Sequence, residues 1–92
     1  MGYNAVMYDV IYSKDATRSL AQLPKKQAQN IQAKIGAVAV DPYAKHNNVT
    51  KLQGREGYRL RVGDWRVIYE IADAHLVIHV VRISARGNAY KE

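Results

Sequence analysis

Cysteine is absent from this chain of 92 residues. That excludes disulfides, thiolate catalysis and any cysteine-based zinc or iron–sulfur site. No apolar run approaches the ~18 residues a membrane span needs. Residues 1–6 carry no basic-then-apolar leader, and Val6 spoils a myristoylation pattern, so a cytoplasmic protein is expected. Repeats, low-complexity tracts and linkers are missing too. Neither an acidic pair nor a histidine-rich cluster offers metal-ligand spacing, so neither a metal nor any other cofactor is expected. Asn48-Val49-Thr50 matches a glycosylation acceptor, but without a secretory leader the match is chance.

Acidic residues are scarce as well: eight Asp and Glu face fourteen Lys and Arg, for a net charge of +6. Such a balance implies a polyanionic or acidic partner. All seven arginines except Arg18 lie after position 54, whereas lysines dominate the first half. Arginine is the side chain suited to bidentate phosphate contact, which turns attention to the second half. Hydrophobic residues at 48% and charged residues at 24% are globular averages. A chain of this length makes one domain, taken as residues 1–92.

Residues 5–12 are aliphatic and aromatic and read as a first strand. Ser13 or Asp15 then caps a short helix whose apolar positions are Ala16, Leu20 and Leu23. Pro24 interrupts it and suits the start of a second helix, where Ala28, Ile31, Ile35 and Val38 form one stripe. Asp41-Pro42 ends that helix, because the residue before proline avoids helical geometry. Residues 41–57 are polar and irregular, and a connection this long is often functional. Three strands follow at Tyr58–Val62, 65–71 and 76–83. The expected class is α+β in the order β-α-α-β-β-β, with a helical hairpin on one face of a mainly antiparallel twisted sheet.

Gly63-Asp64 suits a two-residue type II′ hairpin turn. Counting outward pairs Val62 with Trp65, Arg61 with Arg66, Leu60 with Val67 and Arg59 with Ile68. Alternation then puts Arg59, Arg61 and Arg66 on one face, and Leu60, Val62, Trp65, Val67, Tyr69 and Ile71 on the other. In the third of these strands the same pattern gives Ile78 and Val80 to the core and sets His79 among the arginines. Like charges directly opposite each other destabilise a sheet. A charged sheet face is often only a solvated one, but three arginines with no acidic cross-strand partner favour an anion site. Arg82, Arg86 and Tyr90 follow closely enough to add to it. Tyr90 is either an anchor for the tail, a stacking platform for a base or a proton-transfer group.

Two stretches carry a family resemblance. Lys51-Leu52-Gln53-Gly54 followed by Gly57-Tyr58-Arg59-Leu60-Arg61-Val62-Gly63-Asp64-Trp65-Arg66-Val67-Ile68-Tyr69-Glu70-Ile71 resembles the RelE branch of the RelE/ParE toxin superfamily. Arg82-Ile83-Ser84-Ala85-Arg86-Gly87-Asn88-Ala89-Tyr90 resembles the same family's C-terminal signature. The resemblance implies a type II toxin that enters the ribosome and cleaves mRNA in the A site, without a metal, and that a cognate antitoxin holds inactive. It implies catalytic roles for Arg59, Arg61, Arg66, Arg86 and Tyr90, and RNA contacts by Lys51, Arg55, His79 and Arg82. Ala85 stands where the family often has histidine, and arginines stand where some members have lysines. Arginine is a poor general base, so the proton acceptor stays open between Tyr90 and His79. Two alternatives stand beside this reading: a ParE-like inhibitor of DNA gyrase, and a degenerate toxin that only binds its antitoxin or RNA.

Overall fold

The computed structural model describes residues 7–85. Strand β1 (Asp9–Tyr12) leads into helices α1 (Lys14–Gln22) and α2 (Lys25–Val40). Strands β2 (Val49–Lys51), β3 (Tyr58–Val62), β4 (Trp65–Ala72) and β5 (Val77–Ala85) follow, with a 3₁₀ turn at Asp73–His75 before β5. The five strands form one sheet in the order β1-β5-β4-β3-β2. Only the β1–β5 pair is parallel. The class is the expected α+β, with two helices on one sheet face and one more strand than the sequence announced. No helix among the described residues is long and apolar enough to cross a membrane.

The helices start and stop for local reasons. Ser13 caps α1, its Oγ accepting from the Ala16 N–H at 3.0 Å, and the same hydroxyl donates to the Val81 carbonyl at 2.7 Å. One side chain therefore closes the helix N-terminus and ties it to β5. Leu23, extended at φ −83° and ψ 152°, ends α1 just before Pro24. Asp41 is likewise non-helical ahead of Pro42 and ends α2.

Ile31, Ile35, Val38 and Ala39 of α2 are buried at helical spacing, and Ala28 at the head of that stripe is half-buried. They join Ala16, Leu60, Val67, Tyr69, Ile78, Val80 and Ile83 in one core. Each fully buried aliphatic side chain contributes about 1.5–3 kcal/mol. Trp65 lies at the margin of this core, and its indole N–H donates to Gln27 Oε1 of α2 at 2.9 Å. Gly57 enters β3 at φ +116°, where a Cβ would stand 3.0 Å from the Tyr69 carbonyl oxygen. The close approach of the two chains there requires glycine.

The extra strand lies inside the segment expected to be irregular. Val49, Thr50 and Lys51 pair with Leu60, Arg59 and Tyr58. The sequence gives little sign of it, because a three-residue edge strand buries only one side chain partway and shows no alternation long enough to detect. The remaining boundaries shift slightly: β4 runs on to Ala72, and β5 covers Val77–Ala85. Of the expected first strand 5–12, positions 5 and 6 lie outside the described residues, and the strand itself spans Asp9–Tyr12.

Candidate anion-binding site on the sheet

The β3–β4 register is the one counted from the turn: Arg59↔Ile68, Leu60↔Val67, Arg61↔Arg66 and Val62↔Trp65. Gly63 has φ +60° and Asp64 does not share that sign, as a type II′ turn requires. Arg61 and Arg66 therefore stand directly across from each other on the face away from the helices. Arg66 is 7% exposed, so its guanidinium is held largely out of water, while Arg59 is half-buried and Arg61 exposed.

Strand β2 supplies the wall that the sequence reading missed. Thr50 pairs with Arg59, and the Asn48 carbonyl accepts from the Arg61 N–H at 2.9 Å. Asn48 sits in the left-handed region at φ 68°, a conformation asparagine tolerates better than most residues. Asn48, Thr50, Arg59, Arg61 and Arg66 together line a cavity of about 240 Å³. The only sequence signal for Asn48 and Thr50 was the acceptor pattern set aside as chance. Their amide and hydroxyl add groups that both donate and accept to a floor of pure donors.

Strand β5 completes the face through an irregularity. Arg66 pairs with Ser84 and Ile68 with Arg82, yet Tyr69 pairs with Val80, leaving Val81 as an extra residue. Strict alternation would put Ile78, Val80, Arg82 and Ser84 on one side. The bulge at Val81 switches that parity, so Ile78, Val80 and Ile83 enter the core while Arg82 and Ser84 turn toward the arginines. Two rungs result: Arg61–Arg66–Ser84, and Thr50–Arg59–Ile68–Arg82. Ile68 is buried at the centre of this charged face.

The other expected contacts are more scattered. His79 is on the same face, one rung beyond Arg59 and Arg82 and two beyond Arg61 and Arg66. It pairs with Glu70 and with Ile11 of β1, four residues along β4 from Arg66, or about 14 Å at ~3.4 Å per residue. The separation follows from the direction of β5, which carries His79 toward the opposite end of β4. Lys51 alternates away from Thr50 and pairs with Tyr58, so it turns from the cavity. Arg55 is exposed in the bend between β2 and β3, at the end of the hairpin remote from Arg61. Arg86 and Tyr90 lie outside the described residues. Among the described residues, no three acidic, histidine or cysteine side chains are gathered as a metal would need.

Residues 10–90 match the family model described as the ParE toxin of the type II toxin–antitoxin system parDE. The chain belongs to the ParE toxin family. Within it, the similarities lie with the RelE-like branch. RelE1 of Methanocaldococcus jannaschii is 29% identical over 86 residues, covering 91% of this chain and 96% of the relative. The toxin in the archaeal RelE–RelB complex of Pyrococcus horikoshii is 30% identical, with a TM-score of 0.75 over 91% of this chain and all of that one. The intact E. coli RelBE toxin–antitoxin complex contains a chain of the same fold at 20% identity, TM-score 0.73, covering 85% of this chain and 95% of its own. The RelE/ParE superfamily thus accounts for the strand order and the helical hairpin. The chemistry of the arginine face has to be argued from its own residues.

Proposed function

We propose that this toxin-family protein binds mRNA on the ribosome and cleaves it in the A site. The carrying observation is the cavity in which Arg61 faces Arg66, with Arg59 on the next rung and Asn48 and Thr50 beside them. A sheet gains nothing from opposed guanidinium groups, and a phosphodiester between them offsets the repulsion with charge-assisted hydrogen bonds.

In the proposed reaction the ribose 2′-oxygen attacks the adjacent phosphorus and the bond from phosphorus to the 5′-oxygen breaks. The 2′-hydroxyl proton leaves to a base, and a proton is delivered to the departing 5′-oxygen. Arg59, Arg61 and Arg66 stabilise the charge that builds on the phosphoryl oxygens. Holding the nucleotide in line supplies further acceleration. By family resemblance Tyr90 takes the 2′ proton or stacks on a base, and Arg86 supports the leaving group. A cognate antitoxin is the second partner, since the similar chains of P. horikoshii and E. coli are found in complexes with RelB. An acidic segment of such a partner would lie over the arginine face.

The test adds the protein to ribosomes translating a defined message and maps RNA 5′ ends by primer extension. New ends in the A-site codon, dependent on ribosomes and lost with Arg66→Ala, are the expected result. Intact message would overturn the reading and turn attention to a ParE-like gyrase inhibitor, the reading that the family model's description favours, or to a degenerate toxin.

A further inference from the structure

Ser84 was not among the residues expected to touch a ligand, yet its environment is that of a binding group. It is 8% exposed. Its Oγ is fully buried and, among the described residues, has no hydrogen-bond partner. Leaving a buried hydroxyl unsatisfied costs roughly 1–3 kcal/mol, so each such group in a folded protein calls for an explanation. The bulge at Val81 turns Ser84 onto the arginine face, where it stands opposite Arg66. Paired residues in an antiparallel ladder lie only about 4.5–5.5 Å apart at Cα. Ser84 is not part of the lining of the arginine cavity; the groove it borders, of about 410 Å³, runs between the edge of β5 and α1, with Asp15 and Ser19 on one side and Arg82 on the other.

We propose that Ser84 contacts phosphate, its Oγ donating to an oxygen of the same phosphodiester that Arg66 binds. The anion site then continues across β4 onto β5, from the Asn48 wall to Ser84 and Arg82. The proposal rests on the reading of the arginine face as a nucleic-acid site but does not require that the chain cleave anything. A hydroxyl suits the position, since it is small enough to be buried beside a guanidinium and adds a donor without adding charge.

The experiment measures binding of a short fluorescent single-stranded deoxyoligonucleotide, which cannot be cut by 2′-oxygen attack. It compares the full chain with Ser84→Ala, Arg66→Ala and the double variant, recording Tm for each. Ser84→Ala is expected to weaken binding about tenfold, the factor for one hydrogen bond to a charged group, with Tm unchanged or higher. The double variant is expected to lose less than the product of the single losses, because both side chains hold one phosphate. Ser84→Thr keeps the hydroxyl and should retain most of the affinity; it serves if the alanine variant folds poorly. Wild-type affinity in a folded Ser84→Ala, strictly multiplicative losses, or no binding by the unmodified chain would overturn the proposal. Ser84-dependent binding by a chain that leaves message uncut on the ribosome would instead keep this inference and overturn cleavage.

Discussion

Arg61 and Arg66 are cross-strand partners in the β3–β4 ladder, two cations in register with the largely buried member on the central strand. Opposed like charges cost a sheet roughly 0.2–1 kcal/mol. Arg61→Thr is therefore expected to raise the stability of the isolated chain by about that amount, since threonine suits a strand. The same variant is expected to lose growth inhibition in cells. Urea denaturation and a plating assay check the two halves separately. A less stable Arg61→Thr would show that the guanidinium is held favourably even without a ligand.

Ser13 serves two elements through one oxygen, accepting from Ala16 N–H and donating to the Val81 carbonyl. Ser13→Ala removes a helix cap and a tertiary bond together, so a loss of about 2 kcal/mol is expected from urea melts. Ser13→Gly should lose nearly as much if the bond to Val81 matters, whereas a cap alone loses only a few tenths on that exchange.

Asp73 gathers two tyrosines from distant parts of the chain, with Tyr8 Oη donating to Oδ1 at 2.7 Å and Tyr43 Oη to Oδ2 at 2.6 Å. These bonds, Tyr43's first, hold the carboxyl below its usual 3.8. The bond to Asp73 in turn pushes the Tyr43 hydroxyl up to about 12 and raises that of Tyr8. The acid-side contribution is complete above the ordinary carboxyl value and is lost as pH falls through the lowered folded one. The alkaline-side contribution is complete below the ordinary tyrosine value of ~10 and is lost as pH rises through the raised ones. Tm profiles should show wild type above Asp73→Ala at neutral pH, with the gap closing at both extremes. A gap independent of pH would show that the triad contributes nothing through its charges.

Tyr69 is fully buried, stacks on Tyr58 at 5.5 Å between ring centroids, and has a hydroxyl without a partner among the described residues. Burial pushes that hydroxyl up to about 12. Tyr69→Phe keeps the ring contact and removes the unsatisfied group, so Tm should hold or rise. Tyr69→Ala should cost about 3–5 kcal/mol. A marked drop with phenylalanine would reveal a bond made by the hydroxyl in solution.

Much of the site was legible because its central hairpin is regular. A glycine-first turn fixed where counting begins, and alternation from it put Arg59, Arg61 and Arg66 together. The helices were legible for similar reasons: Ser13 and the two prolines mark their ends, and Ile31, Ile35 and Val38 repeat at helical spacing. Two features were not legible. Asn48 and Thr50 owe their place to an edge strand too short to show a period. The turn of Ser84 and Arg82 onto the arginine face depends on a bulge between two adjacent valines, Val80 and Val81, either of which is equally at home in a strand.

That bulge has a consequence for which mutations this protein tolerates. Loss of the Val81 codon from the middle of β5 would delete no arginine and no hydroxyl. It would remove the extra residue itself, so that plain alternation from Val80 leaves Arg82 and Ser84 on the arginine face and Ile83 in the core. The bulge in β5 thus absorbs the loss of one residue at its own position, whereas a deletion elsewhere that leaves the bulge in place reverses the faces beyond the cut. A library of single-codon deletions should find loss of Val81 far better tolerated than loss of Ile78 or Ile83, while the exposed bend around Arg55 accepts both losses and gains.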